Sequence, residues 1–210
     1  MIETEIKLRI PEGAEAAARL LERHGYRVVA PKTLQVDQIY DLPDETLRRS
    51  GRLLRIRSSA GKATLTYKGP PLAGRHKSRE ELETATFEGG ILAEILGRLG
   101  YVPSFRYEKY RTTFSDDHRG DADHGNDDRI EKAVIALDET PIGAFLELEG
   151  PGDWIDHTAQ RLGFQTGDYI TASYASLYRD YLKLRAGQAD MLFHDRQRTD
   201  PGVPRQKKQP

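Results

Sequence analysis

Charged residues recur two apart along several stretches of this chain, and within each stretch they sort by sign. Glu3 and Glu5, Glu81 and Glu83, and Glu147 and Glu149 are carboxylate pairs, while Arg55 with Arg57 and Lys109 with Arg111 are the matching cation pairs. In an extended segment, residues two apart share a face, where like charges repel unless something bridges them. A divalent cation relieves a carboxylate pair, and a phosphate chain relieves a pair of cations. Hard cations such as Mg²⁺ or Mn²⁺ take oxygen ligands, usually a few carboxylates with substrate phosphates. Arginine forks suit phosphate oxygens bidentately, and lysine supplies a point charge. Both halves of a metal–polyphosphate site are present in one chain.

The elements that must position these residues follow from periodicity. Residues 2–10 alternate Ile2, Ile6, Leu8 and Ile10 with Glu3, Glu5, Lys7 and Arg9, a strand with one wholly charged face. A helix is predicted over 12–24, with Ala17, Leu20 and Leu21 on one face and Gly25 as its stop. A strand-like stretch from Tyr26 to Tyr40, interrupted at Pro31, leads to a turn ending at Gly51. Segments 52–59 and 62–69, joined by Ala60-Gly61, read as a hairpin. Further strands are predicted at 78–88, 101–115, 129–138 and 144–150, with helices at 89–100, 152–162 and 171–185. By parity Arg55 and Arg57 lie on one face with Leu53, Lys68 with Thr64 and Thr66, and Arg79 with Glu81 and Glu83. Lys109 and Arg111 oppose Tyr110, Asp138 follows Val134 and Ala136, and Glu147 and Glu149 oppose Leu146 and Leu148.

Each such face, taken alone, also describes the solvated side of an ordinary antiparallel sheet. Repetition of same-sign pairs over many strands favours one shared site. The strands must then close into a barrel with helices on its apolar exterior. Its bore must hold water, metal and substrate, because a dry interior would cost several kcal/mol per ion.

Composition narrows the classes. Lys and Arg number 32 against 33 Asp and Glu, so no global field points to nucleic acid or an anionic membrane. With no cysteine, a disulfide scaffold, a cysteine nucleophile and thiolate–zinc sites are excluded. The N-terminal MIETEIKLRI lacks the apolar stretch of a signal peptide, and no window reaches the length of a spanning helix, so a cytoplasmic protein is the expectation. Residues 1–185 are expected to form one domain and 186–210 a polar, basic, disordered tail. The acidic stretch Asp116–Asp128 reads as a mobile loop, with His118 and His124 solvated within it.

Glu3-Thr4-Glu5-Ile6-Lys7 resembles the ExExK signature of the CYTH superfamily, the triphosphate tunnel metalloenzymes. The likeness continues in order through YDLPDETLRRSGRLLRIR, TLTYKGP, SREELE, YEKYRTTF, ALDETPIGAFLELEG and Ser173-Tyr174. ExExK alone is a weak pattern; the ordered blocks are specific. The resemblance implies an α+β, mainly β fold: an eight-stranded antiparallel tunnel binding a triphosphate-containing small molecule with Mg²⁺ or Mn²⁺. It implies metal-site carboxylates at Glu3, Glu5, Asp138, Glu147 and Glu149. Triphosphate-binding cations would be Lys7, Arg55, Arg57, Lys68, Arg79, Lys109 and Arg111. Glu81 and Glu83, with Lys68, would serve catalysis by orienting or deprotonating water and gripping the reacting phosphate. The thiamine triphosphatase branch carries a tryptophan where this chain has Leu53, so an aromatic platform for thiamine is missing there.

The expected chemistry is metal-assisted hydrolysis of a terminal phosphoanhydride, with inorganic tripolyphosphate or a nucleoside triphosphate as substrate. Positioning and electrostatics carry phosphoryl transfer, so no dedicated nucleophile is needed. Cyclisation of ATP to cyclic AMP and pyrophosphate is the alternative, and a non-catalytic polyphosphate-binding barrel a lesser one. Tyr174 is a candidate for closing one tunnel mouth. Tyr169, Tyr178, Tyr181 and Trp154 read as packing residues.

Overall fold

The computed structural model describes residues 1–116, 133–183 and 189–193. Eight strands close into an antiparallel barrel in the order β1-β5-β4-β3-β2-β6-β7-β8, with β8 returning to β1. They are β1 (Ile2–Ile10), β2 (Tyr26–Asp41), β3 (Leu53–Ser59), β4 (Lys62–Lys68), β5 (Lys77–Thr86), β6 (Val102–Asp116), β7 (Val134–Thr140) and β8 (Gly143–Glu149). The helices are α1 (Ala14–Arg23), α2 (Thr46–Arg49), α3 (Gly89–Arg98), α4 (Gly152–Arg161) and α5 (Tyr174–Leu182).

The main hydrophobic core lies outside the barrel. Ile6 and Leu8 of β1, Ile135 of β7, and Leu146 and Leu148 of β8 pack against Ala17 and Leu21 of α1 and Ile155 and Ala159 of α4. Trp154 and Tyr169 pack at its edge. A second cluster seats Leu96 of α3 on Ile56 and Ala63. A Cβ on Gly89 would stand 2.6 Å from the Ala63 Cβ, so α3 can begin this close to β4 only with glycine there. With apolar side chains outward, the alternating charges must point inward.

Three local features depart from the sequence reading. Pro31 does not interrupt β2; register shifts between Val28 and Ala30 and between Ala30 and Thr33 absorb a residue that cannot donate to the ladder. The 42–51 turn contains α2, whose start is fixed by the Asp41 carboxylate accepting N–H bonds from Leu47 and Arg48 at 2.9 Å each. Tyr178 does pack beside Phe105, but Tyr181 is largely exposed among the described residues.

One stretch expected in the tail is held against the barrel. The Met191 N–H donates to the Arg106 carbonyl and its carbonyl accepts from Glu108 N–H, both at 2.9 Å. Its side chain is fully buried with Tyr107, Ile142, Phe145 and Tyr174. An isolated methionine with an apolar niche outweighs the polar composition around it. The acidic loop with His118 and His124, the expected start of β7 at 129–132, and the basic chain end lie outside the described residues, as does the rest of the tail from 194.

Candidate functional site

A cavity of about 590 Å³ occupies the barrel interior. Its wall carries Glu3, Glu5 and Lys7 from β1, Arg55 and Arg57 from β3, Lys68 from β4, and Arg79, Glu81 and Glu83 from β5. Lys109 and Arg111 from β6, and Glu147 and Glu149 from β8, complete it. Strand pairing explains the convergence: Glu3 stands opposite Arg79, Lys68 opposite Glu81, Arg57 opposite Asp37, and Lys7 opposite Glu147.

The deep part of the wall is a closed ionic network. Asp138, fully buried, accepts from Lys109 Nζ, from Arg111 Nε and Nη2, each at 2.7 Å, and from the Tyr174 hydroxyl at 2.8 Å. Burial opposes its ionisation, but Arg111 and Lys109 outweigh that and hold its carboxyl below the usual range. Asp138, expected as a metal-site carboxylate, here accepts hydrogen bonds from two cations and a tyrosine through its two oxygens. Glu147 lies 3.0 Å from Arg111 and 3.6 Å from Lys7, and these cations with Lys109 overcome burial to hold it well below the ordinary carboxylate range. Tyr174 forms the floor, with Lys7 and Lys109 at 5.3 and 5.1 Å from its ring centre. Its hydroxyl is pushed well above a free phenol by burial and by Asp138 and Glu147, so it stays a donor.

Nearer the rim the carboxylates outrun their partners. Burial, a hydrogen bond with Glu81, and the charges of Glu5 and Glu81 push Glu3 up to about 7 against the pull of Lys68. Burial, then Glu3 and Glu147, push Glu149 up to about 7 as well. Lys68 bridges Glu3 and Glu81, the latter at 3.0 Å. Glu83, half exposed, accepts from Thr66 Oγ1 at 3.0 Å.

Some members of the site were not singled out from sequence. Asp37 is fully buried, 2.9 Å from Arg57 Nε and 3.3 Å from Arg55 Nε, with its Oδ2 unbonded among the described residues. It lies between Gln35 and Ile39 on its face, so no like-charge pair marked it. Lys77 sits 2.5 Å from Glu5 Oε1. It precedes Arg79 by two and so shares the face of Glu81, a signal lost when β5 was expected to begin at 78. Tyr107, on the face of Lys109, lines the cavity too.

The donor set fits anions and hard cations. Among the described residues, eight lysines and arginines line the cavity, and Arg79 Nε is buried there without a hydrogen-bond acceptor. A guanidinium so placed calls for an anion. No three carboxylates or histidines among the described residues form a ready-made metal cage. Mg²⁺ does not need one, since it is commonly held by one or two carboxylates together with substrate phosphates. Glu3 and Glu149, whose mutual repulsion a cation would relieve, suit that role.

Comparisons with known proteins bear on the family and the fold. The family model described as the CYTH domain matches residues 1–174. A protein of Methanocaldococcus jannaschii named "Putative adenylate cyclase" is 31% identical over 152 residues, covering 71% of this chain and 77% of that one. A Pyrococcus horikoshii structure superposes with a TM-score of 0.63 at 25% identity, covering 82% of this chain and 96% of its own. A Vibrio parahaemolyticus structure described as a putative adenylate cyclase gives 0.69 at 20% identity, covering 85% and 98%. A Hippeastrum protein, described as a putative adenylyl cyclase that reveals a dominant triphosphatase activity, gives 0.59 at 17% identity, covering 86% and 95%. The last two likenesses speak to the fold.

Proposed function

The chain belongs to the CYTH domain family, and from that premise we propose that it is a Mg²⁺- or Mn²⁺-dependent triphosphatase acting on inorganic tripolyphosphate or a nucleoside triphosphate. The observation that carries this reading is the coexistence, in one cavity, of an acceptor-less buried arginine and carboxylates raised to about 7. The first calls for an anion, and the second for a cation.

In the proposed mechanism Lys7, Arg55, Arg57, Arg79, Lys109 and Arg111 hold the phosphate chain extended. Asp37 and Asp138 keep four of these cations aimed, so little reorganisation is needed as charge shifts to the leaving oxygen. Glu3, Glu149 and Glu5 or Glu147 would hold the divalent ion, which when bound neutralises charge on the phosphate oxygens. Glu81 or Glu83 orients a water molecule at the terminal phosphorus and takes its proton. The new P–O bond forms as the bond to the bridging oxygen breaks, giving inorganic phosphate and the shortened chain. Lys68, between Glu3 and Glu81, neutralises this acidic side and approaches the reacting phosphate.

The M. jannaschii relative favours a second reading, conversion of ATP to cyclic AMP and pyrophosphate. Incubating the protein with tripolyphosphate, ATP and GTP plus Mn²⁺ and separating the products decides between them. Orthophosphate with the shortened chain supports hydrolysis, and cyclic AMP with pyrophosphate overturns it. Tight binding without turnover would leave the barrel a polyphosphate-binding protein. Among the described residues no helix is long and apolar enough to cross a membrane.

A further inference from the structure

Outside the barrel, the chemistry above leaves one polar cluster unused. Asp156 of α4 is bonded through Oδ1 to His76 Nε2 at 2.8 Å and to the Tyr169 hydroxyl at 3.0 Å, and Arg75 pairs with its other oxygen. The His76 and Tyr169 rings stack with centres 6.0 Å apart. His76 lies so close to the first turn of α4 that a Cβ on Gly152 would stand 3.0 Å from its Nδ1 and Cε1. Three segments distant in sequence are tied at one point.

That point lies beside a gap in the barrel. β5 pairs with β1 only from Glu80 opposite Ile2 to Lys77 opposite Glu5. Beyond Glu5 the free edge of β1 is taken by Ile170, which exchanges two 2.9 Å hydrogen bonds with Lys7. His76 immediately precedes Lys77, and Tyr169 immediately precedes Ile170. The two lysines so fixed converge on one atom: Lys77 Nζ is 2.5 Å and Lys7 Nζ 3.1 Å from Glu5 Oε1.

We propose that the His76–Asp156–Tyr169 knot positions Lys77 and Lys7 across the end of the β1–β5 pairing, and that Lys77 is a further cation for the phosphate chain. This rests on the triphosphate reading of the cavity. Lys77 lines the cavity with its side chain about nine-tenths buried, so a phosphate chain entering the cavity competes with Glu5 for its ammonium. The knot residues are positioning residues, since His76 adjoins Lys77 and Tyr169 adjoins Ile170 in the chain and none of the three is among the residues lining the cavity.

Titration calorimetry of the full chain with sodium tripolyphosphate, with and without Mn²⁺, tests this. Lys77→Met is expected to weaken binding roughly tenfold, the scale of one charge-assisted contact. His76→Leu and Gly152→Ala are expected to weaken it several-fold at temperatures well below their unfolding midpoints. His76→Gln, which can still reach Asp156, is expected to recover most of the loss. Wild-type affinity in Lys77→Met overturns the assignment of that lysine. A lowered midpoint with unchanged affinity in His76→Leu overturns the positioning role, leaving only a staple of the fold. If the unmodified chain binds no tripolyphosphate under either condition, the functional reading itself falls.

Discussion

Two walls of the same cavity, built from the same residue types, hold their charges in opposite ways. Along β6, β7 and β8 the network of Asp138, Lys109, Arg111, Glu147 and Tyr174 is closed, and both acids are held below their ordinary range. Where the rim ends of β1 and β8 meet, Glu3 and Glu149 crowd one another and are raised to about 7. The difference shows that burial alone does not decide the state of a charge, because both walls are largely buried; the partners do. The deep wall is compensated from within, and the rim carboxylates are not.

Breaking the compensated wall should have the largest effect. Asp138→Ala removes the shared acceptor of Lys109, Arg111 and the Tyr174 hydroxyl and leaves Glu147 alone beside the two cations, and a loss of about 3–5 kcal/mol is expected in denaturant unfolding; a loss under about 1 kcal/mol would show the network to be ornamental. Glu5→Gln keeps the size and a hydrogen-bonding oxygen for Lys7 and Lys77. It should reduce metal-dependent turnover at least about a hundredfold in initial-rate assays while circular dichroism stays that of the folded barrel. Unchanged turnover would remove Glu5 from the metal site.

The rim is sharpened by pH. Glu3 and Glu149 bind protons more tightly folded than unfolded, so between about pH 5.5 and 7, above the range where the lowered acids Asp138 and Glu147 act in the opposite sense, stability of the metal-free protein falls as pH rises. Up to about 3 kcal/mol per carboxylate is at stake. Mn²⁺ competes with those protons, so its stabilising effect should grow over the same interval, as thermal unfolding at several pH values would reveal. A flat profile would mean the rim carboxylates are already compensated. Arg57→Ala should raise KM about tenfold, close to 1.4 kcal/mol, with Asp37 left partly unpaired; an unaltered KM and rate would contradict its phosphate role. The smallest change is expected from Glu149→Gln, which removes a repulsion. Metal-free stability near pH 8 should rise by about 1 kcal/mol, and the added stabilisation by Mn²⁺ should shrink.

Much of this was legible in the sequence because period two is a strong signal when apolar residues occupy the alternate positions. Ile6, Leu8, Leu146 and Leu148 pointed outward, so Glu5, Lys7, Glu147 and Glu149 had to share the inside. Closure of the strands, and which helix covers which, came only with the structure, since parity says nothing of partners. Asp138 shows the limit most clearly: its face was readable, yet the fact that Lys109, Arg111 and Tyr174 already use both of its oxygens depends on three other elements meeting there. Asp37 was illegible for a related reason. A lone acid becomes informative only when the neighbouring strand sets Arg57 opposite it. Met191 was hidden because its niche is made by residues scattered over β6, β8 and α5.

The pairing of β1 with β8 bears on how the molecule comes into being. Ile6 waits for Leu148, and Lys7 for Glu147, at the far end of the barrel sequence. A growing polypeptide leaving the ribosome therefore carries its opening strand unmatched on one flank until nearly the whole domain has been synthesised. Contacts so distant along the chain close slowly. Ribosome-bound chains halted before residue 143 should lack the seam, and the charged interior is enclosed only with the last act of folding.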